Sequence, residues 1–312
     1  MIQPEKILLT GATGFVGQAV LKAISGFEVI SVGRRAPDRQ SRFFQAELTD
    51  NTDFLPALTG VTVVIHAAAR AHIMHDEVVD PLAEYRNVNV AATLNLARQA
   101  AAAGVKRFIF ISSVKVNGEQ TFVGQPFTAQ QPPEPQDAYG LSKAEAEAGL
   151  KLIAGQSGME LVIIRPPLVY GPGVKGNFAT LLKLAQKNLP LPLGAIVNKR
   201  SLVALDNLVD LIVTCITHAK AANQTFLVSD DKDISTTELL KLLTIAAGHK
   251  PRLLPVPVNW LQFAAKLTGK QAVISRLCGD LQLDINHTKA TLSWVPPLSV
   301  EDGIKRCFAA KE

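Results

Sequence analysis

Short apolar runs recur along the first half of the chain, and several are followed by a stretch with helical spacing. Ile7–Leu9, Glu28–Val32, Phe43–Ala46, Val61–His66, Lys106–Ser112 and Leu161–Arg165 are rich in the β-branched and aromatic residues of buried strands. After the first of them, Val16, Val20, Leu21 and Ile24 return at helical intervals. Pro81–Ala103 reads as a long helix, with Asp80 as its N-cap and proline at its first position. A further helix is expected from about Ala138 to Gly155. Alternation of this kind predicts an α/β fold, a Rossmann-type doubly wound parallel sheet with helices on both faces.

The pattern changes after Arg165. Pro166–Pro192 is rich in proline and glycine, with one helix near Phe178–Gln186. Ser201–Leu205, followed by a helix over Asp206–His218, is predicted to return to the main sheet, as is Thr225–Val228. From Ser235 the chain is mostly helical, opened by a capping box of Ser235 and Glu238. Two units follow from this reading: residues 1–165 plus 201–230 as a dinucleotide-binding domain, and 166–200 plus 231–312 as a smaller, mostly helical substrate lobe. Trp260–Leu267 is amphipathic. Packing on its own lobe is the ordinary reading of it, and contact with a membrane or a partner is the other.

The bulk numbers narrow the picture modestly. A chain of 312 residues with 47% hydrophobic content can bury a full core. Its net charge of +5 suits an acidic ligand, but not nucleic acid, because Lys and Arg are dispersed and aromatics are only 6%. Cys215, Cys278 and Cys307 stand far apart in apolar surroundings, as buried thiols in a reducing compartment do. No Cys/His set has metal-ligand spacing. Met1–Glu5 lacks the basic and apolar regions of a secretion signal, and Leu202–Ile216 is broken by Asp206, Asn207 and Asp210. A cytoplasmic protein without a membrane span is the expectation.

The candidate chemistry begins at Lys6–Gly17. Glycines at 11, 14 and 17 lie between a strand and a helix, where backbone N–H groups can approach a pyrophosphate and the helix N-terminus faces the same anion. Further on, Tyr139 and Lys143 stand one turn apart on one helical face. A fixed ammonium and a charged nicotinamide would lower the pKa of the phenol toward the working range, making Tyr139 an acid/base. Ser113, just past the fifth strand, lies where open α/β sheets bind ligands and could orient the reacting oxygen.

On these motifs the chain resembles an extended short-chain dehydrogenase/reductase of the nucleotide-sugar epimerase/dehydratase family. The resemblance spans nearly the whole length. It is carried by Thr10–Gly17, His66-Ala-Ala-Ala69, Asn89-Val-Ala-Ala-Thr93, Ile111-Ser-Ser113, Tyr139–Lys143, Arg165-Pro-Pro-Leu-Val-Tyr-Gly-Pro172 and Asp284…Trp294-x-Pro296. It implies a catalytic set of Ser113, Tyr139 and Lys143. It places Gly11, Thr13, Gly14, Phe15, Val16, Gly17, Ala67, Ala68, Ala69 and Asn89 at the cofactor, with Tyr139 and Lys143, and closes Pro166–Leu168 over the nicotinamide. It also implies a UDP-sugar substrate gripped by Asn177, Arg200 and Arg276, although Arg276 fits a solvated surface charge as well. Relatives pair helices corresponding to Pro81–Ala103 and Ala138–Gly155 into a homodimer, a role these helices could equally forgo by packing inside one chain.

Two departures from the family pattern bear on the cofactor. Val32-Gly33-Arg34-Arg35 ends the second strand where NAD enzymes of this fold carry a carboxylate, so Arg34 and Arg35 favour the 2′-phosphate of NADP over NAD. Glu47-Leu48 stands where the family has Asp and an apolar residue near the adenine. Val114-Lys115 follows the serine in place of the acidic pair of dehydratases, which argues against dehydration; Lys115 itself reads as an exposed loop residue or a substrate contact. Oxidation and reduction at C4 of a UDP-sugar remain. The NADP-like site favours 4-keto reduction of a UDP-hexosamine, and the alternative is a UDP-glucose or UDP-N-acetylglucosamine 4-epimerase. A catalytically idle dinucleotide sensor and a reductase of small non-sugar ketones are the more remote readings.

Overall fold

The computed structural model describes residues 5–39, 41–70 and 80–309; Met1–Pro4, part of the stretch inspected for a leader, lies outside them. Seven strands form one parallel sheet: β1 (Lys6–Thr10), β2 (Glu28–Gly33), β3 (Arg42–Gln45), β4 (Val63–His66), β5 (Arg107–Ile111), β6 (Glu160–Arg165) and β9 (Gln224–Leu227). Their order is β3-β2-β1-β4-β5-β6-β9, which puts the reversal of strand order between β1 and β4. The crevice at such a reversal is where doubly wound sheets bind ligands.

Strand periodicity assigns the two faces. Ile7, Leu9, Val63, Ile65, Ile109, Val162 and Ile164 point to one side, where they meet α1 (Phe15–Ala23) and α7 (Leu205–Thr217). Leu8, Val64, Phe108, Phe110 and Ile163 point to the other. There they meet the short α2 (Leu55–Leu58) and the longer α4 (Ala92–Ala102) and α5 (Ala138–Ser157). Burial on both faces explains why these strands read as continuous apolar runs and not as alternating ones.

The predicted helix over Pro81–Ala103 is present but interrupted. Asp80 caps α3 (Pro81–Tyr85) by accepting from the Ala83 N–H at 3.0 Å, and a π-helical turn over Arg86–Ala91 separates α3 from α4. A second departure concerns the segment predicted to rejoin the main sheet. β8 (Leu202–Ala204) pairs in parallel with β7 (Leu168–Tyr170) in a separate two-stranded sheet. A short apolar run announces a buried strand without naming its partner.

A third apolar cluster surrounds that small sheet, joining Tyr170, Phe178, Leu202, Ile234, Leu239 and Leu243. It is built from α6 (Gly176–Lys187), α8 (Thr236–Ala246) and, near the end of the chain, α12 (Val300–Arg306). Ser235 and Glu238 form the expected capping box on α8. Between α8 and α12 lie α9 (Val258–Leu267), α10 (Gln271–Cys278) and α11 (Asn286–Leu292). In α9 only Leu261 and Ala265 are buried, so the amphipathic helix leaves Trp260 and Phe263 in solvent. Cys215 is buried, whereas Cys278 and Cys307 are only partly so.

The tightest backbone approach lies at the first loop. A Cβ at Gly17 would fall 2.0 Å from the Gly11 carbonyl oxygen, so no side chain fits there without moving the loop. Gly17→Ala is expected to lower stability by at least about 1–3 kcal/mol and to weaken dinucleotide binding. Denaturant melts with and without dinucleotide check both effects.

Candidate active site

Two regions at the carboxyl ends of the strands carry the predicted residues. The first is the loop from β1 to α1. Gly11 has φ +75°, and a Cβ on it would meet Ala68 N at 2.7 Å and Ala67 C at 2.8 Å. The β4 tail therefore lies directly against this turn. α1 begins at Phe15 behind Gly14, with neither a side-chain cap nor an acidic residue in its first turn. Thr13 and Gly14 are exposed, while Phe15 and Val16 pack against the core. A loop with glycines at its two ends before an uncapped helix fits a diphosphate.

Around it, His66 at the end of β4 is buried between Thr10 Oγ1 at 2.8 Å and Thr93 Oγ1 at 2.9 Å. Burial, with Lys143 nearby, pushes its pKa down to about 3, so it is a neutral structural imidazole. Arg34 and Arg35 follow β2 and are exposed, Glu47 is exposed, and Leu48 packs at the edge of the second core cluster. Ala67 and Ala68 are half-buried and Ala69 exposed. Asn89, on the π-helical turn, is sealed. Its amide accepts from Arg70 N at 2.8 Å and donates to Arg70 O at 3.2 Å and Ser142 Oγ at 3.0 Å. It serves as a brace between that turn and α5.

The second region is a cleft of about 370 Å³. Ser113, Lys115, Tyr139, Leu168, Asn177, Arg200 and Arg276 all line it, which brings together residues read separately from six stretches of sequence. Its remaining wall is largely apolar, from Phe178, Leu181, Leu202, Leu239, Leu277 and Leu281. Asn177 and Arg276 are exposed at the cleft. Arg200 is partly buried, and its Nη1 donates to the carbonyls of Arg276 at 3.0 Å and Gly279 at 2.9 Å. Burial lowers its pKa, against a smaller opposing effect of Asp280. Pro166 is buried and accepts from Val114 N at 2.9 Å, which extends the β5–β6 pairing up to Ser113.

Ser113 caps a short 3-10 turn over Val114–Val116, its Oγ accepting from Lys115 N at 3.2 Å. Tyr139 enters α5 directly behind Asp137, whose carboxylate accepts from Gly140 N at 2.7 Å. Lys115 is no free loop lysine. Its ammonium pairs with Asp137 and, at 3.2 Å, with Glu119. A Cβ at Gly140 would meet the Lys115 carbonyl at 2.7 Å, so the start of α5 is clamped against the serine turn. Sequence reasoning missed this role of Lys115; the N-cap Asp137 was the available signal.

Lys143 differs from expectation in one respect. It is fully buried, donates to the Ile111 carbonyl at 2.8 Å and lies 4.4 Å from the centre of the Phe110 ring. Desolvation brings its pKa down to about 7, despite the opposing charge of Glu147. The protein's own groups do not lower the Tyr139 phenol. Burial first, then Asp137 and Tyr85, push it above its ordinary value, and the Tyr85 ring packs edge-on at 5.9 Å. Lys143 is turned to the Ile111 carbonyl, and its lowered pKa weakens the charge that was to steady the phenolate.

Beneath this pair lies a network that was not read from the sequence. Glu147, one turn beyond Lys143, accepts from Arg165 Nη2 at 2.5 Å, Arg165 Nε at 2.9 Å and Ser112 Oγ at 2.5 Å. Arg165 also donates to Asn117 Oδ1 at 3.0 Å. Both side chains of the ion pair are 2% exposed. Among the described residues no cluster of His, Cys, Asp or Glu could hold a metal ion, and no helix is long and apolar enough to cross a membrane.

Two outcomes are expected. Arg165→Met strands a buried carboxylate and costs about 3–5 kcal/mol, most of which a second Glu147→Met substitution recovers; denaturant melts of the single and double variants measure it. Lys143 binds its proton more weakly folded than unfolded, so it makes the native state gain stability as pH rises through the window from about 7 to the ordinary lysine value. The melting temperature of the parent relative to Lys143→Met should therefore climb between pH 7 and 10, and a flat difference would contradict the burial.

Comparison with known proteins gives the same outline. The model of the "NAD dependent epimerase/dehydratase family" matches residues 7–229. The chain is 53% identical over 313 residues to a UDP-glucose 4-epimerase of Vibrio cholerae, covering 98% of this chain and 95% of that protein. It is 29% identical over 323 residues to an N-acetyl-alpha-D-glucosaminyl-diphospho-ditrans,octacis-undecaprenol 4-epimerase of Escherichia coli O157:H7, covering 97% and 94%. A crystal structure of a UDP-glucose 4-epimerase from Thermotoga maritima with UDP-glucose shares the fold, with a TM-score of 0.78 at 24% identity and 97% of each chain covered.

Proposed function

The chain belongs to the NAD-dependent epimerase/dehydratase family, and from that premise we propose that it interconverts the C4 epimers of a UDP-hexose, UDP-glucose or its 2-acetamido counterpart. The observation that carries this reading is the cleft in which Ser113 and Tyr139 face Asn177, Arg200 and Arg276. Full-length identity of 53% to a protein named as a 4-epimerase favours epimerisation over the 4-keto reduction that the Arg34–Arg35 pair had suggested.

In this reading, residues 1–165 with 201–230 hold the dinucleotide and residues 166–200 with 231–312 hold the sugar nucleotide, although β8 pairs outside the main sheet. Gly11, Gly14 and Gly17 would cradle the diphosphate of the dinucleotide. Lys143 would lie by its nicotinamide ribose, and Pro166 and Leu168 would cover the ring. When bound, the oxidised nicotinamide supplies a hydride acceptor, and a positive charge beside the phenol.

Tyr139 takes the proton of the C4 hydroxyl as its carbon is oxidised and returns one when the 4-keto sugar is reduced on its other face. Ser113 holds the same oxygen through both half-reactions. Lys115 neutralises Asp137, the charge that most opposes a phenolate at Tyr139. Arg200 and Arg276 engage the substrate diphosphate, for which a guanidinium is the best-matched donor. Between the two half-reactions the ring must present its opposite face. The wall of leucines and Phe178 offers few directional bonds to prevent that turn.

Epimerisation returns each hydride it takes, so the supply of cellular reductant does not bear on the cofactor. Arg34 and Arg35, with no carboxylate beside them, favour a 2′-phosphate and hence NADP as the resident form. The faces of α4 and α5 are the surfaces on which a homodimer would close.

Incubation with UDP-glucose and either NAD or NADP should yield UDP-galactose with no net change in reduced nicotinamide, followed by chromatography and absorbance. Tyr139→Phe should lower turnover about 10²–10⁴-fold. Stoichiometric oxidation of NADPH by a UDP-4-keto sugar, without epimer formation, would return the reading to reduction. Unchanged turnover in the Phe variant would remove Tyr139 from the chemistry.

A further inference from the structure

The helical hairpin α9–α10 carries a surface that the cleft chemistry does not use. Trp260, Phe263 and Leu267 occupy positions i, i+3 and i+7 of α9 and therefore share one face. They are 73%, 66% and 74% exposed. Leu261 and Ala265, on the opposite side, are the residues of α9 that pack inward. α10 packs on α9, has no buried residue of its own, and leaves Val273 53% exposed. Large apolar side chains gathered on one face of a monomer mark a place where something else binds.

The charge around this face selects the occupant. The α9–α10 hairpin and the turn within it hold no Asp or Glu, whereas Lys266, Lys270 and Arg276 all fall within them and all are exposed. Lys266 lies beside Phe263 on α9, and Lys270 stands at the turn into α10. An isologous contact with a second copy would set this uniformly basic patch against itself, which like-charge repulsion opposes. Aromatic and leucine side chains on an amphipathic helix, flanked by Lys266 and Lys270 and by no acidic residue, match the interface of an anionic bilayer. There the rings enter the headgroup region and the ammonium groups meet lipid phosphates.

We propose that α9–α10 docks this protein on anionic lipid bilayers, with Trp260, Phe263 and Leu267 inserted at the headgroup level. Arg276 and Leu277 of α10 also line the cleft, so docking brings the cleft close to the membrane surface. The protein associates peripherally, reversibly and more weakly as salt rises.

The test is co-sedimentation of the full chain with vesicles of phosphatidylglycerol and phosphatidylethanolamine, and with vesicles of phosphatidylcholine alone. Tryptophan emission is read in parallel: Trp294 is 5% exposed, so a blue shift reports on Trp260. The expected result is binding to the anionic vesicles only, with a blue shift. A Trp260→Glu/Phe263→Glu variant should bind at least about tenfold more weakly while keeping the parent's melting temperature and its turnover of soluble UDP-sugar. Absence of binding, or binding that the double variant leaves unchanged, overturns the proposal. So does loss of a self-associated species in the variant, or salt-sensitive capture of an acidic protein by this face without vesicle binding. Turnover is read separately from sedimentation, so failure of the proposed reaction leaves the membrane result independent.

Discussion

A carboxylate and a guanidinium sealed away from water hold this active site in register. Glu147 projects from α5 and Arg165 ends β6; they meet through two nitrogen–oxygen contacts while Ser112 and Asn117 complete the set from the β5 tail. Burying such a pair gains little net stability, because desolvation offsets most of the attraction. Its effect is geometric. The helix that presents Tyr139 and Lys143 cannot slide or rotate on the sheet without leaving an ion unpaired. The serine turn is tied to the same anchor, since Ser113 follows directly on Ser112. The placement of Ser113, Tyr139 and Lys143 therefore rests in part on one ion pair beneath them.

The fold was largely legible, because its evidence is local and repetitive. Ile7–Leu9 and Phe108–Ile111 are buried on both faces, and that burial writes itself into the chain as unbroken apolar residues. The glycines at 11, 14 and 17, and the spacing of Tyr139 from Lys143, are likewise properties of single segments. What could not be read depends on partners distant in sequence. The direction of the Lys143 ammonium is set by a carbonyl at the tip of β5, and Lys115 matters because it reaches Asp137 across 22 residues. The assignment of Leu202–Ala204 to the wrong sheet has the same origin. Its apolar residues demand burial, but the identity of β7 as neighbour is decided by how the Pro/Gly segment folds back.

The two walls of the cleft differ in kind. One is the rigid edge of the large sheet, fixed by the buried polar network. The other comes from the later half of the chain and is knit together by Arg200, whose backbone bridges both Ile234 and Leu281 and whose guanidinium holds the carbonyls at the end of α10. A single arginine thus offers charge to the cleft and holds the segments of that second wall together. Those contacts explain why this cleft residue is also partly buried, with a lowered pKa.

The π-helical turn over Arg86–Ala91 carries a further consequence. A wide turn of this kind holds one residue more than regular winding would need. Rewinding the same residues as ordinary α-helix would swing everything on one side of the turn by about 100° around the axis. Asn89 would then face away from Arg70 and Ser142, and the brace between this helix and α5 would open. Regular winding and a braced site are thus mutually exclusive in this stretch.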